Sequence, residues 1–402
     1  MNGRGEVPAR RCDRQASAMI ITKTLTTAEE LARLRPSWAA ILEANRAASQ
    51  PFFSWEWFEA SVNAFAGDGS RYVVALQEHE RTIAILPLVR RKTRQYGMTI
   101  YELTFCPNFN TPRNDLLVAG PQHAREAART ALNGILADRR SWHILRLENI
   151  PCGSELSKLL VESEEARRSP VIRSEGWRSP CVDIGGHESF DDYFATSIKK
   201  HYRTKLRRDL KRLQQAGEDW SVDYFDAAAD IARGLEDLFE IRRASWKGEA
   251  PDNFVRFFQE ISPVLANRRE LLITILRVGG RPVAGQYFVR KDGDYCMILN
   301  DHDDRYHDAV TPGTNLPTLV LQEAFKRHWK VLAFSGCDYE YKRRLATTTR
   351  AHYSFQVFNP GLKSQAAYFG KTRALPLMRE VLGRSQSLLL GRRGDKIEGT
   401  VY

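Results

Sequence analysis

No apolar run in the 402 residues approaches the roughly 20 that a membrane-spanning helix needs. The longest runs, such as Leu271–Leu276, are strand-sized, so no membrane span is expected. Cysteines are few and scattered: Cys12, Cys106, Cys152, Cys181, Cys296 and Cys337 contain no CxxC pair. Disulfide frameworks belong to short, cysteine-dense secreted chains, so the expectation is reduced thiols and a cytoplasmic location. The first eighteen residues carry Arg4, Arg10, Arg11 and Arg14 without an apolar core, which argues against a secretory signal. They read as a flexible leader (1–18), and Met19 serves equally well as a start. Hydrophobic residues at 43% and charged residues at 27% exclude a disordered chain, a collagen-like repeat and a coiled-coil rod. What the chain has in excess is positive charge. Its 60 Lys and Arg against 49 Asp and Glu give +11, which favours phosphate-bearing or otherwise acidic partners.

The length points to two or three domains, and the pattern divides into two similar halves. In the first, β-rich runs at Arg71–Gln77 and Thr82–Arg90 precede an apolar stretch around Asp115–Val118, a helix at His123–Ala137 and a strand at Trp142–Leu147. In the second, Leu271–Val278, Val283–Arg290 and Tyr295–Asn300 read as a meander punctuated by Gly279-Gly280 and Asp292-Gly293. A helix near Asn315–Arg327 and a strand at Val331–Phe334 follow. Helical segments precede both meanders: Ala28–Arg46 and Glu56–Phe65, then Phe190–Gln215 and Ile231–Phe258. The boundary falls near Arg173–Gly186, where Ser179-Pro180 and Gly185-Gly186 break the pattern. After Pro360 the chain reads as a helical or frayed tail.

Three stretches carry candidate chemistry. From Asn300 to Leu316 a β-run gives way to a helix. Thr311 or Thr314 caps that helix and Pro317 falls in its first turn, so unpaired N–H groups of Gly313, Thr314 and Asn315 face a bound phosphate. Asp301, His302, Asp303, Asp304, His307 and Asp308 lie in the same stretch without metal-ligand spacing; they read either as a solvated acidic loop or as a source of a general base. From Phe334 to Arg344 a strand ends where ligands of α/β sheets gather, and Asp338, Tyr341 and Lys342 offer a base, a phenolic donor and a cation. Cys337 reads as a small incidental thiol rather than a nucleophile. Lys199–Leu213 carries eight Lys and Arg against Asp209 alone, with Leu206, Leu210 and Leu213 as an apolar stripe: an amphipathic helix with one strongly cationic face.

Taken in order, Phe52-Phe53-Ser54-Trp55-Glu56-Trp57-Phe58, Ile83–Val89, the basic helix, Arg281-Pro282-Val283-Ala284-Gly285-Gln286, Thr311-Pro312-Gly313 and Phe334–Arg344 resemble CelD-like acyltransferases. That family sits in the GNAT superfamily beside FemAB-type aminoacyltransferases, which contain two GNAT-like domains. The resemblance spans roughly Pro51 to Phe358. It implies an α/β fold with mixed sheets and two tandem GNAT-like domains. The first would be an acceptor-side domain at 19–180 and the second a donor and catalytic domain at 181–360, with a tail at 361–402. It further implies direct N-acyl transfer from acyl-CoA or an acyl carrier protein to an amine on a small molecule, sugar or peptide. No metal is required; the alternatives are aminoacyl-tRNA-dependent transfer to a peptide and a non-catalytic nucleic-acid- or carrier-binding protein that keeps the fold alone. The general base would be His302 or Asp303, with Asp338 as rival. Tyr341, or alternatively Tyr306, would protonate the thiolate and Lys342 assist. Thr311, Gly313, Thr314, Asn315, Lys199, Arg203 and Arg343 would hold donor phosphates. The usual Arg/Gln-x-x-Gly-x-Gly/Ala signature of GNAT proteins is absent.

Overall fold

The structure is a computed structural model describing residues 20–46, 48–162, 169–216, 219–336 and 338–374. The leader, Cys337 and the end of the tail lie outside the described residues. The first half begins with β1 (Ile20–Leu25), α1 (Ala28–Ala44) and α2 (Trp55–Phe65). A reciprocal capping box between Thr27 and Glu30 starts α1, and the Ser54 hydroxyl accepts from Trp57 N at the start of α2. Then come β2 (Ser70–Glu78), β3 (Arg81–Gln95), β4 (Met98–Phe105), the short β5 (Leu117–Val118), α3 (Ala124–Ala137), β6 (Ile144–Pro151) and α4 (Glu155–Glu162). β4 is a strand that the sequence pattern did not mark. Asp115–Val118, expected as the third run of the meander, supplies only the two residues of β5, which pair with β3.

A long strand, β7 (Val171–Asp183), leads into the second half: α5 (Phe190–Thr196), α6 (Lys200–Gln214), β8 (Trp220–Phe225), α7 (Ile231–Ala244), α8 (Asp252–Asn267), β9 (Leu271–Val278), β10 (Arg281–Lys291) and β11 (Asp294–His302). After a helical turn at His307–Val310 follow α9 (Pro312–Lys326), β12 (Val331–Phe334), α10 (Glu340–Leu345), β13 (Thr348–Phe358) and α11 (Leu362–Phe369). The turns at Gly279-Gly280 and Asp292-Gly293 have positive φ at both central residues, the geometry that matches strand twist in a two-residue hairpin. The expected helices 190–215 and 231–258 are each broken in two, at 197–199 and at 245–251. The first break exposes the N-terminus of the basic helix.

Among the described residues, thirteen strands form one mixed sheet in the order β1-β2-β3-β4-β6-β13-β7-β12-β11-β10-β9-β8, with β5 beside β3. Pro180 and Cys181, on either side of the expected domain boundary, are consecutive residues of β7. That strand pairs with β13 over most of its length and with β12 at its end. β13 in turn pairs with β6 of the first half. Helices cover both faces. α5, α6 and α9 pack on one face of the second half through residues such as Tyr202, Leu206, Phe288 and Phe334. α7 and α8 pack on the other through Leu238, Phe257 and Phe258, joined there by α2. Trp57 of α2 meets Phe257 of α8 edge to face at 5.0 Å. Burying such aromatic surface, together with the pairing of β13 with β6 and β7, holds the halves against each other.

Candidate functional site

In the second half β11 and β12 run parallel, and their pairing stops at Met297 and Phe334. β11 continues to His302 with β10 as its sole strand neighbour among the described residues. At the parting point the β10–β11 register slips: Phe288 faces Met297 but Tyr287 faces Leu299, leaving Ile298 as an extra residue. A bulge of this kind re-aims the backbone and frees ladder groups where strands separate.

The opening beside β11 is bridged by polar side chains. The Thr274 hydroxyl donates to Gln286 Oε1 at 3.4 Å, Gln286 Nε2 donates to Asn300 Oδ1 at 2.9 Å, and Asn300 Nδ2 donates to the Tyr341 hydroxyl at 3.0 Å. Thr274 and Gln286 are buried. Every link accepts at one end and donates at the other, so the chain polarises toward the Tyr341 O–H. Burial raises the Tyr341 pKa, more than the Asn300 hydrogen bond lowers it, and the phenol keeps its proton. Gln286 and Asn300 were not singled out from sequence. The available signal was an amide side chain facing inward on an otherwise apolar strand.

The other expected residues fall in several places. His302 ends β11 on the same face as Asn300, about 7 Å further along the strand. Its imidazole lies against Gly313, where a Cβ would stand 2.8 Å from Nδ1, and Nε2 is 3.4 Å from Asp304. Burial lowers its pKa, opposed by the Asp304 charge, so the ring is held neutral. Asp303 is a buried carboxylate gripped by Arg305 at 2.6 Å. Burial pushes its pKa up, yet the Arg305 hydrogen bonds and charge outweigh that and hold it below the usual range. A carboxylate so stabilised is a weak base. Asp338 pairs with Arg343 at 3.2 Å. Lys342 is buried and donates from Nζ to Ser335 O at 2.6 Å, clamping the end of β12 to α10. The Ser335 hydroxyl in turn donates to Met297 O across the strand gap.

Helix α9 starts at Pro312, so Pro317 sits in its second turn rather than its first. Thr311 is the N-cap, but through its backbone: its side chain makes no cap bond, and its φ of 43° is a left-handed conformation rare for a β-branched residue. Thr314 N and Asn315 N both bond to Thr311 O at 3.0 Å. The Asn315 amide donates to Asp209 O and Val310 O, and Lys205 joins Asp209 Oδ2 at 2.5 Å and the Thr314 hydroxyl at 3.4 Å. Thr314 and Asn315 thus lock α9 to α6, and Gly313 supplies the backbone donor left in the first turn. Lys199 and Arg343 instead converge on a separate cavity of about 490 Å³, shared with His201, Tyr202, Glu340 and Arg344. It lies at the opposite end of α6 from Asp209, about 15 Å along the helix axis. Arg203 is not in that lining. Its guanidinium caps α5, donating to Ala195 O at 2.5 Å and Ile198 O at 2.7 Å.

The first half repeats the strand separation. β4 and β6 are parallel, and their pairing is confined to Glu102–Thr104 and Ile144–Arg146. Beyond it opens a polar cleft of about 460 Å³ whose lining includes Arg91, Glu148, Asn149 and Trp177. Its floor holds the Arg146–Glu102 ion pair at 2.7 Å. Among the described residues no cluster of His, Cys, Asp or Glu could hold a metal ion, and no helix is long and apolar enough to cross a membrane.

Two parallel strands that part, in the second half at a bulge with a helix entered just beyond, and a second parting of parallel strands in the first half fit an α/β fold of two tandem GNAT-like units. Residues 200–343 match the family model described as Acetyltransferase (GNAT) domain. FemX has the same overall fold, with a TM-score of 0.53 at 10% identity over 86% of this chain and 100% of FemX. A conserved protein of unknown function from Bacteroides thetaiotaomicron aligns with a TM-score of 0.50 at 12% identity, covering 85% of this chain and 100% of its own. A tandem GNAT protein from the clavulanic acid biosynthesis pathway gives 0.47 at 12% identity, with 85% and 100% covered. No curated protein matches the chain.

Proposed function

We propose that the protein is an N-acyltransferase, CelD-like in type, that moves an acyl group from an acyl-CoA or acyl-carrier-protein thioester to an amine by direct attack. The observation that carries this reading is the hydrogen-bonded chain ending at Tyr341 beside the bulged, unpaired edge of β11. The thioester carbonyl would lie against that edge, where backbone N–H groups near Leu299 stabilise the oxyanion of the tetrahedral intermediate. The neutral amine nitrogen bonds to the carbonyl carbon, His302, neutral at pH 7, takes through water the proton that the nitrogen sheds, and the carbon–sulfur bond breaks. Tyr341 donates a hydrogen bond to the departing thiolate. Its raised pKa makes full proton transfer to sulfur unfavourable, so the thiolate takes its proton from solvent. Lys199 and Arg343, with His201 and Arg344, attract donor phosphates at one end of α6, while Gly313 N–H serves the other. Asp303, Lys342, Thr314 and Asn315 act by holding the site together. The polar cleft of the first half is the acceptor side.

The test is mass spectrometry of the protein incubated with acyl-CoA and acyl-carrier donors and pooled amines, repeated with Tyr341→Phe. We expect amide products, and a kcat about 10–100-fold lower in the variant with little change in KM, the signature of a contact made in the transition state. No product with any thioester, or full activity in the variant, refutes the assignment. A second reading, transfer from aminoacyl-tRNA, is favoured by the exposed cationic face of α6 at His201, Arg207, Arg208, Lys211 and Arg212. Activity that requires charged tRNA and falls steeply with salt would select it.

A further inference from the structure

Arg113, in the loop between β4 and β5, and Arg350, on β13, line one small recess where the two halves meet, together with Ser179, Asp294 and His352. The Arg113 guanidinium stands 5.7 Å from the Phe52 ring and 5.8 Å from the Phe53 ring. Among the described residues neither arginine side chain makes a hydrogen bond or an ion pair. Elsewhere on the sheet, arginines of comparable burial are matched by acids: Arg277 by Asp223 and Asp237, Arg146 by Glu102, Arg71 by Glu59. Arg113 is treated differently. Burial and then the Arg350 charge push its pKa down, and Cys296, Asp115 and Asp294 oppose this only in part. Drawing a guanidinium out of water toward a second cation, with no acid in ion-pair contact, costs free energy that a bound anion would return.

The third basic group adds no charge. His352 is buried, its pKa lowered by burial and further by the two arginines, and its Nδ1 lies 2.8 Å from Trp177 O. A carbonyl only accepts, so Nδ1 carries the proton of a neutral ring. The recess has room for about 30 Å³, close to the share of one water molecule in the liquid. It admits the head of a ligand and not its body. A flat carboxylate pairs with the planar fork of a guanidinium and fits that small space better than a bulkier tetrahedral phosphate does.

We propose that Arg113 and Arg350 bind the carboxylate of an acidic small molecule at the junction of the two halves. The site is read by binding alone, so it stands or falls separately from the acyl-transfer reaction.

The experiment is a titration of the full chain, labelled with ¹⁵N-arginine, with acetate, D-glucuronate and inorganic phosphate, following the Nε–H resonances by NMR. The expected result is saturable shifts of the Arg113 and Arg350 signals with both carboxylates. Affinity should fall about ten-fold in Arg350→Gln, whose side chain is exposed and whose loss leaves the fold intact. Arg113→Lys, which keeps the charge beside Phe52 and Phe53 but loses the fork, should weaken binding as well. Shifts with phosphate and none with carboxylate would overturn the assignment in favour of a phosphate site. Carboxylate binding that is unchanged in both variants, or no saturable shift with any probe, would overturn it altogether.

Discussion

The clearest perturbation separates two groups of cations near the start of the basic helix α6. Lys199 and Arg343 face the 490 Å³ cavity, whereas Arg203, four residues from Lys199, is spent on the carbonyls of α5. Both cavity residues are exposed, and Arg343 already shares its charge with Asp338. Each phosphate contact is therefore worth about 1 kcal/mol rather than the 2–3 of a buried pair. Removing both in K199A/R343A should weaken the binding of CoA by about 2 kcal/mol, roughly 30-fold. KM for the thioester should rise by a similar factor while kcat stays within about two-fold, because the contact is made equally in ground and transition states. Calorimetric titration with CoA at low and high ionic strength checks this, since the wild-type affinity should fall with salt more steeply than that of the variant. Arg203→Ala should leave CoA affinity unchanged but lower stability by about 1 kcal/mol in urea titrations, because it strips the donors from the Ala195 and Ile198 carbonyls at the end of α5. CoA affinity that is equal in wild type and K199A/R343A, or weakened by Arg203→Ala in a protein of undiminished stability, would refute the reasoning.

Two other outcomes follow from packing and burial. Asp115 is half-buried, and burial raises its pKa from 3.8 to about 7. The folded state therefore holds a proton that the unfolded chain releases, and stability is lost as pH rises from about 4 to about 7. Asp115→Asn should be stabilising by an amount that grows over that interval and levels off above it; an advantage independent of pH in chemical denaturation would contradict this. At Gly285 of β10 an added Cβ would lie 2.5 Å from Leu238 Cδ2 and 2.9 Å from Ile275 Cδ1, so α7 rests directly on the backbone. Gly285→Ala should cost about 1–3 kcal/mol as those side chains shift, measured as a lower thermal midpoint.

Much of this architecture is legible in the sequence because short apolar runs bounded by turn residues are a direct record of burial. β9, β10, β11 and β12 lie where the runs at 271–278, 283–290, 295–300 and 331–334 place them. The strands that escaped have a different chemistry. β4 mixes Thr, Tyr and Glu into its pattern, and β7 carries Arg, Ser and Glu through its exposed first half. A Pro at position 180 suggested a break, yet Pro180 is accommodated beside Thr349 within the ladder. At the site, residue type was readable but partnership was not. Nothing local announces that Asp303 will be held by Arg305, that Arg203 will cap the preceding helix, or that Gln286 will reach Asn300. Those facts depend on which faces the folded chain brings together, a property of tertiary contact rather than of spacing.

The placement of β13 has a consequence for how the molecule is made. The first half receives one of its interior strands from residues 348–358, the last strand of the described chain, and that strand also neighbours β7. A ribosome that has released the first two hundred residues has released a sheet with an open seam beside β6. The seam closes when nearly the whole described chain has emerged. The two halves are thus alike in plan yet unequal in autonomy, and cutting the chain between Pro180 and Cys181 would give two incomplete fragments rather than two proteins.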